Sequence, residues 1–293
     1  MVLYLWQVVL LLLFVALGGG TTTTSSPSAG TVASSKWTLK GKNVVVTGGT
    51  KGIGKAVCDD LLALGANVLT CGRNEAEVLA CLESWKSEGF GADRVSAVVA
   101  DVSTTDGRCA LQKKCTDVFG RSLDCLINNV GTNRRKKSIE YSEEDYDFIM
   151  RTNLQSAFWL TNAFHSQLKE TSGSVVIIGS VAGGCGVAIR SGVLYAMTKA
   201  ALNQLIYNLA SEWGKEGIRI NGVSPWYTRT PLADQVLSQP EFYKEVCDRT
   251  PLGRVASADE VASVVSFLCM PAASYVTGQV LAVDGGFLRS AFY

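Results

Sequence analysis

The stretch Asn43-Val44-Val45-Val46-Thr47-Gly48-Gly49-Thr50-Lys51-Gly52-Ile53-Gly54 decides the fold. It begins as a short run rich in β-branched side chains, ends in glycines, and runs directly into a helical pattern. A strand buried on both faces reads as a continuous apolar run rather than an alternation. Glycines let the following turn be tight and let backbone N–H groups approach a pyrophosphate. The helix behind it turns its partly positive N-terminus toward the same anion. The spacing from Gly48 through Gly52 to Gly54 is GxxxGxG, so the turn takes its meaning from lying between strand and helix.

The same alternation continues outward. Apolar runs recur at Asn67–Thr70, Val95–Ala100, Leu123–Ile127, Ser174–Ile178, Ile218–Val223 and Val280–Val283. The intervals are long enough for helices, as at Lys55–Leu64 and Asn74–Lys86. Strands alternating with helices predict a parallel sheet with right-handed crossovers. The expected architecture is α/β: one doubly wound, Rossmann-type domain over residues 36–293, with helices on both faces of the sheet. No internal repeat or second domain is visible.

The end of the second strand selects the cofactor. An NAD site usually has Asp or Glu about 20 residues beyond the first glycines, to hold the ribose 2′-hydroxyl. Here the sequence is Thr70-Cys71-Gly72-Arg73-Asn74, without an acid. Arg73 and Lys51 are suited to a 2′-phosphate, one as a planar fork and the other as a point charge. NADP(H) is the expected cofactor.

Tyr195-Ala196-Met197-Thr198-Lys199 is the reactive segment. Of the nine tyrosines, only Tyr195 has a lysine four residues on, on the same helix face. A phenol titrating near ~10 is a poor proton donor and acceptor at neutral pH. A neighbouring ammonium is expected to stabilise the phenolate. Ser180 ends the apolar run Val176-Ile177-Ile178-Gly179-Ser180, where its hydroxyl could hold a substrate oxygen near Tyr195.

Together, Thr47–Gly54, Asn128-Asn129-Val130-Gly131, Asn153, Ser180, Tyr195 and Lys199 resemble the short-chain dehydrogenase/reductase family, from about Lys36 to Phe287. The resemblance implies a seven-stranded, mostly parallel sheet and a homodimer or homotetramer. It implies that Asn153 supports a water in the proton relay and that Lys199 contacts the nicotinamide ribose. Asp101 and Val102 would meet the adenine, Asn129, Gly131 and Pro225 would line the cofactor, and Thr230 would touch the carboxamide. Pro225-Trp226-Tyr227 and the segment from Leu268 to Gln279 resemble the plant tropinone-reductase-like branch. Trp226 replaces the usual glycine, and the Ser180–Tyr195 spacing is longer than usual. Both departures bear on the substrate.

Residues expected around the substrate are Cys185, Val187, Ile189, Val193, Leu194, Trp226, Tyr227 and Leu232, with Asp234 as a conceivable partner for a cationic amine. This mixture suits reduction of a small to medium, largely apolar ketone to a secondary alcohol. A 3-oxoacyl-carrier reductase of lipid synthesis is the runner-up. A non-catalytic NADPH-binding module would not need Ser180, Tyr195 and Lys199 together.

Composition removes other classes. Net charge is +1, which gives no basic excess for nucleic acid. The cluster Arg134-Arg135-Lys136-Lys137 reads as a solvated loop. Nine cysteines without a CxxC indicate neither a disulfide framework nor a zinc site. The single histidine, His165, reads as a helix-face residue, and no metal site is expected.

Residues 1–35 form a hydrophobic leader and a Ser/Thr-rich linker. Val2–Leu17 is almost continuously apolar, and the first basic residues, Lys36, Lys40 and Lys42, follow it. The positive-inside rule then predicts membrane contact through residues 2–17, at the ER, with the catalytic domain facing the cytosol. A plastid address or a secretory signal remains an alternative.

Overall fold

The computed structural model describes residues 35–184 and 188–290. The apolar leader, Cys185 and Val187 lie outside the described residues.

Seven strands form one sheet in which every pairing is parallel. They are β1 (Asn43–Thr47), β2 (Asn67–Gly72), β3 (Val95–Val99), β4 (Cys125–Asn128), β5 (Ser174–Ile178), β6 (Arg219–Pro225) and β7 (Val280–Val283). The spatial order is β3-β2-β1-β4-β5-β6-β7. The chain therefore moves outward twice from β1, on one side as far as β3 and on the other from β4 to β7. Between β1 and β4 the loops diverge and open a crevice at the carboxyl ends of the strands.

Side chains enter the two faces of the sheet alternately, as the pleat requires, and both faces are covered. Val44, Val46, Cys125, Ile127, Val176 and Ile178 face one core, which also takes Val57, Leu61 and Leu62 of α1 (Gly52–Ala63) and Trp85 of α2 (Glu75–Ser87). Val45, Leu126, Val175 and Ile177 face the other. There they meet Leu111 of α3 (Thr105–Phe119) and, further along the chain, helices that begin beyond β4. One helical run continues from α4 (Glu143–Met150) through a π-helical turn (Arg151–Gln155) into α5 (Ser156–Ala163). A break at Phe164 separates it from α6 (His165–Thr171). The long α7 (Val193–Trp213) adds Leu202, Ile206 and Leu209 to the second core.

Past β6, α8 (Pro231–Leu237) and α9 (Pro240–Asp248) build a small separate cluster around Leu237, Val246 and Val255. Trp226 and Tyr227 pack against it. α10 (Ala258–Cys269) returns to the first core beneath the sheet.

The expected strands all form; β1, β5 and β7 match end to end, and the other four shift by one or two residues at one or both ends. His165 opens α6 rather than sitting on the face of α5. Its Nε2 lies 2.6 Å from Glu216 Oε2, and its ring packs on Trp213. Among the described cysteines only Cys109 is exposed. Cys58, Cys71 and Cys115 have thiols pushed up by burial, and Cys125 by its hydrogen bond with Cys269 and then by burial.

Leu126 is fully buried between Val45 and Val175 at the centre of the sheet. Leu126→Ala should lower the unfolding free energy by about 2–5 kcal/mol, read from the urea midpoint. A change near zero would show that the core collapses into the space.

Candidate active site

Thr47 organises the crevice. Its hydroxyl oxygen accepts the backbone N–H groups of Asn129 and Val130, at 3.0 and 3.1 Å. In return Asn129 Nδ2 donates to the carbonyl oxygens of Thr47 and Gly48, at 2.8 and 3.2 Å. The loops after β1 and β4 are thereby fixed to each other. Gly48 and Gly52 have φ values of +69° and +57°, a region that favours glycine. A Cβ on Gly54 would fall 2.2 Å from the Gly48 carbonyl oxygen and 2.4 Å from Asn129 Nδ2. The start of α1 has no side-chain cap and no acid in its first turn. Its free N–H groups face the space that a pyrophosphate would fill.

All residues expected to meet the cofactor border one cleft of about 870 Å³. Gly48, Thr50, Lys51, Gly52, Ile53 and Gly54 form its floor, with Arg73 after β2 and Asp101 and Val102 after β3. Asn129 and Gly131 follow β4, and Pro225 and Thr230 close the far side. Thr230 caps α8 by accepting from the Ala233 N–H, and it stands across the cleft against Gly52.

The β2 end carries no acid, as expected, but helix α2 supplies one. Glu77 lines the cleft and pairs with Lys51 at 2.7 Å. Its sequence position gave no signal, because it reads as an ordinary first-turn acid of a helix capped by Asn74. Arg73 stands 3.9 Å from Asp101 and is 60% exposed, leaving its guanidinium available to a ligand.

Ser180, Tyr195 and Lys199 reach the same cleft. Ser180 is held by accepting the Ala182 N–H at 3.1 Å. Lys199 is almost fully buried and donates to the Ile178 carbonyl oxygen at 2.7 Å. Its Nζ lies 5.6 Å from the centre of the Tyr195 ring. Burial brings the Lys199 ammonium down to about 8. The Tyr195 phenol is pushed up from its ordinary value by burial, and a hydrogen bond with Ser180 and the charge of Arg135 work against that rise. The expectation that Lys199 lowers the phenol is therefore corrected. One of its three N–H bonds goes to a backbone carbonyl, and the influences opposing the rise come from Ser180 and Arg135.

Asn153 is fully buried in the π-helical turn and does not border the cleft. It accepts the Thr132 N–H at 2.8 Å, donates to the Thr132 carbonyl at 2.9 Å and donates to Thr198 Oγ1 at 3.2 Å. It joins the β4 loop to the helix that carries Tyr195 and Lys199. Gly131 leaves room beside it, since a Cβ there would stand 3.3 Å from Lys199 Nζ.

Around the substrate space, Ile189, Trp226, Tyr227 and Leu232 line the cleft as expected. Val193 instead turns to solvent at the start of α7, and Leu194 packs inward. Neither Val193, Leu194 nor Asp234 borders the cleft, whereas Gln235 does. Trp226 stacks on Phe287 with ring centres 3.8 Å apart and donates to Thr250 Oγ1. The basic run is not a uniformly solvated loop. Arg134 and Lys136 pair with the buried Asp145, while Arg135 between them lines the cleft.

A family model described as enoyl-(acyl carrier protein) reductase matches residues 48–288. A tropinone reductase homolog of Arabidopsis thaliana is 51% identical over 258 residues, spanning 88% of this chain and 96% of its own. The chain belongs to the short-chain dehydrogenase/reductase family. A second Arabidopsis thaliana tropinone reductase homolog, described as chloroplastic, is 45% identical across 91% of this chain and 81% of its own. Among solved structures, a gluconate 5-dehydrogenase from Burkholderia cenocepacia, in complex with NADP and tartrate, superposes with a TM-score of 0.82. It is 29% identical, and the match covers 88% of this chain and all of that one. This member of the short-chain family is therefore an oxidoreductase, NAD(P)-dependent as the family is.

Gly54→Ala should weaken dinucleotide binding by at least about tenfold, because its methyl group would enter the Gly48 carbonyl contact. Titration of intrinsic fluorescence with NADPH measures this, and unchanged affinity would show that the turn yields.

Proposed function

We propose that this enzyme uses NADPH to reduce the carbonyl of a small to medium ketone, giving a secondary alcohol. The observation that carries the reading is the convergence of Tyr195, Ser180 and Lys199 on the cleft floored by the glycine turn. The residues fit a phosphorylated dinucleotide: a cradle that side chains would fill, an uncapped helix start, and Lys51 and Arg73 where the 2′-phosphate would lie. The cofactor supplies the hydride. Ser180 donates a hydrogen bond to the carbonyl oxygen and holds it against Tyr195. The Tyr195 hydroxyl gives its proton to that oxygen as negative charge develops there. Lys199 holds the ribose and faces the phenolate left behind, and Asn153 braces both groups through Thr132 and Thr198. Trp226, Leu232 and Ile189 supply apolar wall for the rest of the ketone.

Phe158 and Trp159 on α5 and Met197 and Tyr207 on α7 leave large side chains in solvent. These faces support assembly of the chain with itself, as a homodimer or homotetramer. Residues 2–17 support placement at the ER membrane with this domain in the cytosol.

NADPH oxidation should be seen with cyclic and terpenoid ketones and be abolished by Tyr195→Phe. Activity on 3-oxoacyl thioesters alone would replace the reading with reduction in lipid synthesis. Replacing Lys51 and Arg73 together should erase the preference for NADPH over NADH, whereas Glu77→Gln should strengthen NADPH binding by freeing Lys51. The raised phenol stays protonated through neutral pH, so the reduction rate should be level there. It should decline once pH passes about 8, where Lys199 loses its charge. A rate rising steeply through that range would contradict these roles.

A further inference from the structure

The residues from Asn133 to Lys136 run past the substrate half of the cleft without helix or strand. Arg134 and Lys136 are drawn to one side by Asp145, at 2.8 and 2.5 Å. Arg135, between them, is not drawn to Asp145 and borders the cleft instead. The anchor is firm. Asp145 is buried, Arg134 lies over the Phe148 ring, and Tyr141 donates to the Arg134 carbonyl at 2.8 Å.

Among the described residues Arg135 has no carboxylate partner. Its charge reaches both Tyr227 and Tyr195. Its Nε is buried without a hydrogen-bond partner. Two neighbours in the cleft wall share this condition. Ser191 is 4% exposed, and its Oγ is buried and unpartnered. Asn133 donates to the Ser191 carbonyl at 2.7 Å but leaves Oδ1 without a donor. Buried polar groups are ordinarily satisfied, so several unsatisfied ones on a single cleft wall point to a missing ligand.

We propose that Arg135 and Ser191 bind a carboxylate on the substrate, making the preferred ketone an oxo acid. The inference rests on the ketone-reductase reading above and names its substrate class. A guanidinium N–H and a serine hydroxyl are both donors, and a carboxylate offers acceptors to each. Asn133 Oδ1 is free to accept a hydrogen bond from a hydroxyl on the substrate, so hydroxylated oxo acids suit the site further. The apolar wall of Trp226 and Leu232 carries the remainder of the molecule.

The test compares levulinate and acetoacetate with their methyl esters, by NADPH oxidation. The enzyme should favour each acid over its ester by about tenfold or more. Arg135→Gln should lower kcat/KM for the acids, mainly through KM, by roughly ten- to a hundredfold more than for the esters, whose smaller loss reads the effect of the charge on Tyr195. Arg135→Lys, which keeps the charge but not the fork, should recover part of the loss. Calorimetric titration of levulinate into the enzyme loaded with NADP+, which has no hydride to give, is a readout independent of turnover, and Arg135→Gln should abolish that binding. Equal use of acid and ester, an equal loss on both in Arg135→Gln, or levulinate binding unaffected by the substitution would each overturn the proposal while leaving ketone reduction intact. Failure on every ketone, with levulinate still bound through Arg135, would overturn the reductase reading instead.

Discussion

The exchange of hydrogen bonds between Thr47 and Asn129 is the contact on which the rest depends. A doubly wound sheet is a packed slab whose interior strands are buried on both faces. Chemistry can be placed only where strands end, and a wide opening exists only where neighbouring loops diverge. Divergence alone would leave two loose loops. The Thr47 hydroxyl and the Asn129 amide join them, using four bonds between backbone and side chain in a small space. Once joined, Gly48 is pressed against the first turn of α1, and Gly131 is held beside Lys199. Both ends of a dinucleotide site follow from that junction.

The substrate half is built on a different principle. It is a separate small cluster on α8 and α9, apart from the two main cores. Its shape depends on aromatic stacking: Trp226 on Phe287, Trp226 edge-on to Tyr227, and Tyr227 edge-on to Phe242. Opposite it, the Asp145 ion pairs set the direction of a loop. The cofactor half is specified by backbone geometry and the substrate half by side chains, so the second can vary while the first stays fixed.

This division explains what could be read from the sequence. Strands such as Asn43–Thr47 and Ser174–Ile178 were legible to the residue, because burial on both faces leaves an unbroken apolar run between their polar ends. The glycine turn was legible because few residues tolerate its backbone. Tyr195 and Lys199 were legible from helical spacing. Glu77 was not, since its approach to Lys51 depends on where α2 lies against the β1 loop. Arg135 was not, because four successive basic residues give no sign that Asp145 will capture two and send a third inward. Val193 and Leu194 were misplaced because the start of α7, set at Gly192 with φ of +88°, turns them away from the cleft.

The π-helical turn gives the continuous helix from 143 to 163 an unusual tolerance of length. It accommodates one residue beyond regular winding, and each residue of an α-helix turns the chain by about 100°. A single deletion between 151 and 155 would let the turn close to ordinary winding with the helices on either side still in phase. Ala157 and Leu160 would stay in the core, and Phe158 and Trp159 would stay outside it. The same deletion within α5 has no such slack and would rotate everything after it by that angle. The turn is thus spare thread, a place where the chain can lose a residue while the helix beyond it keeps its bearing.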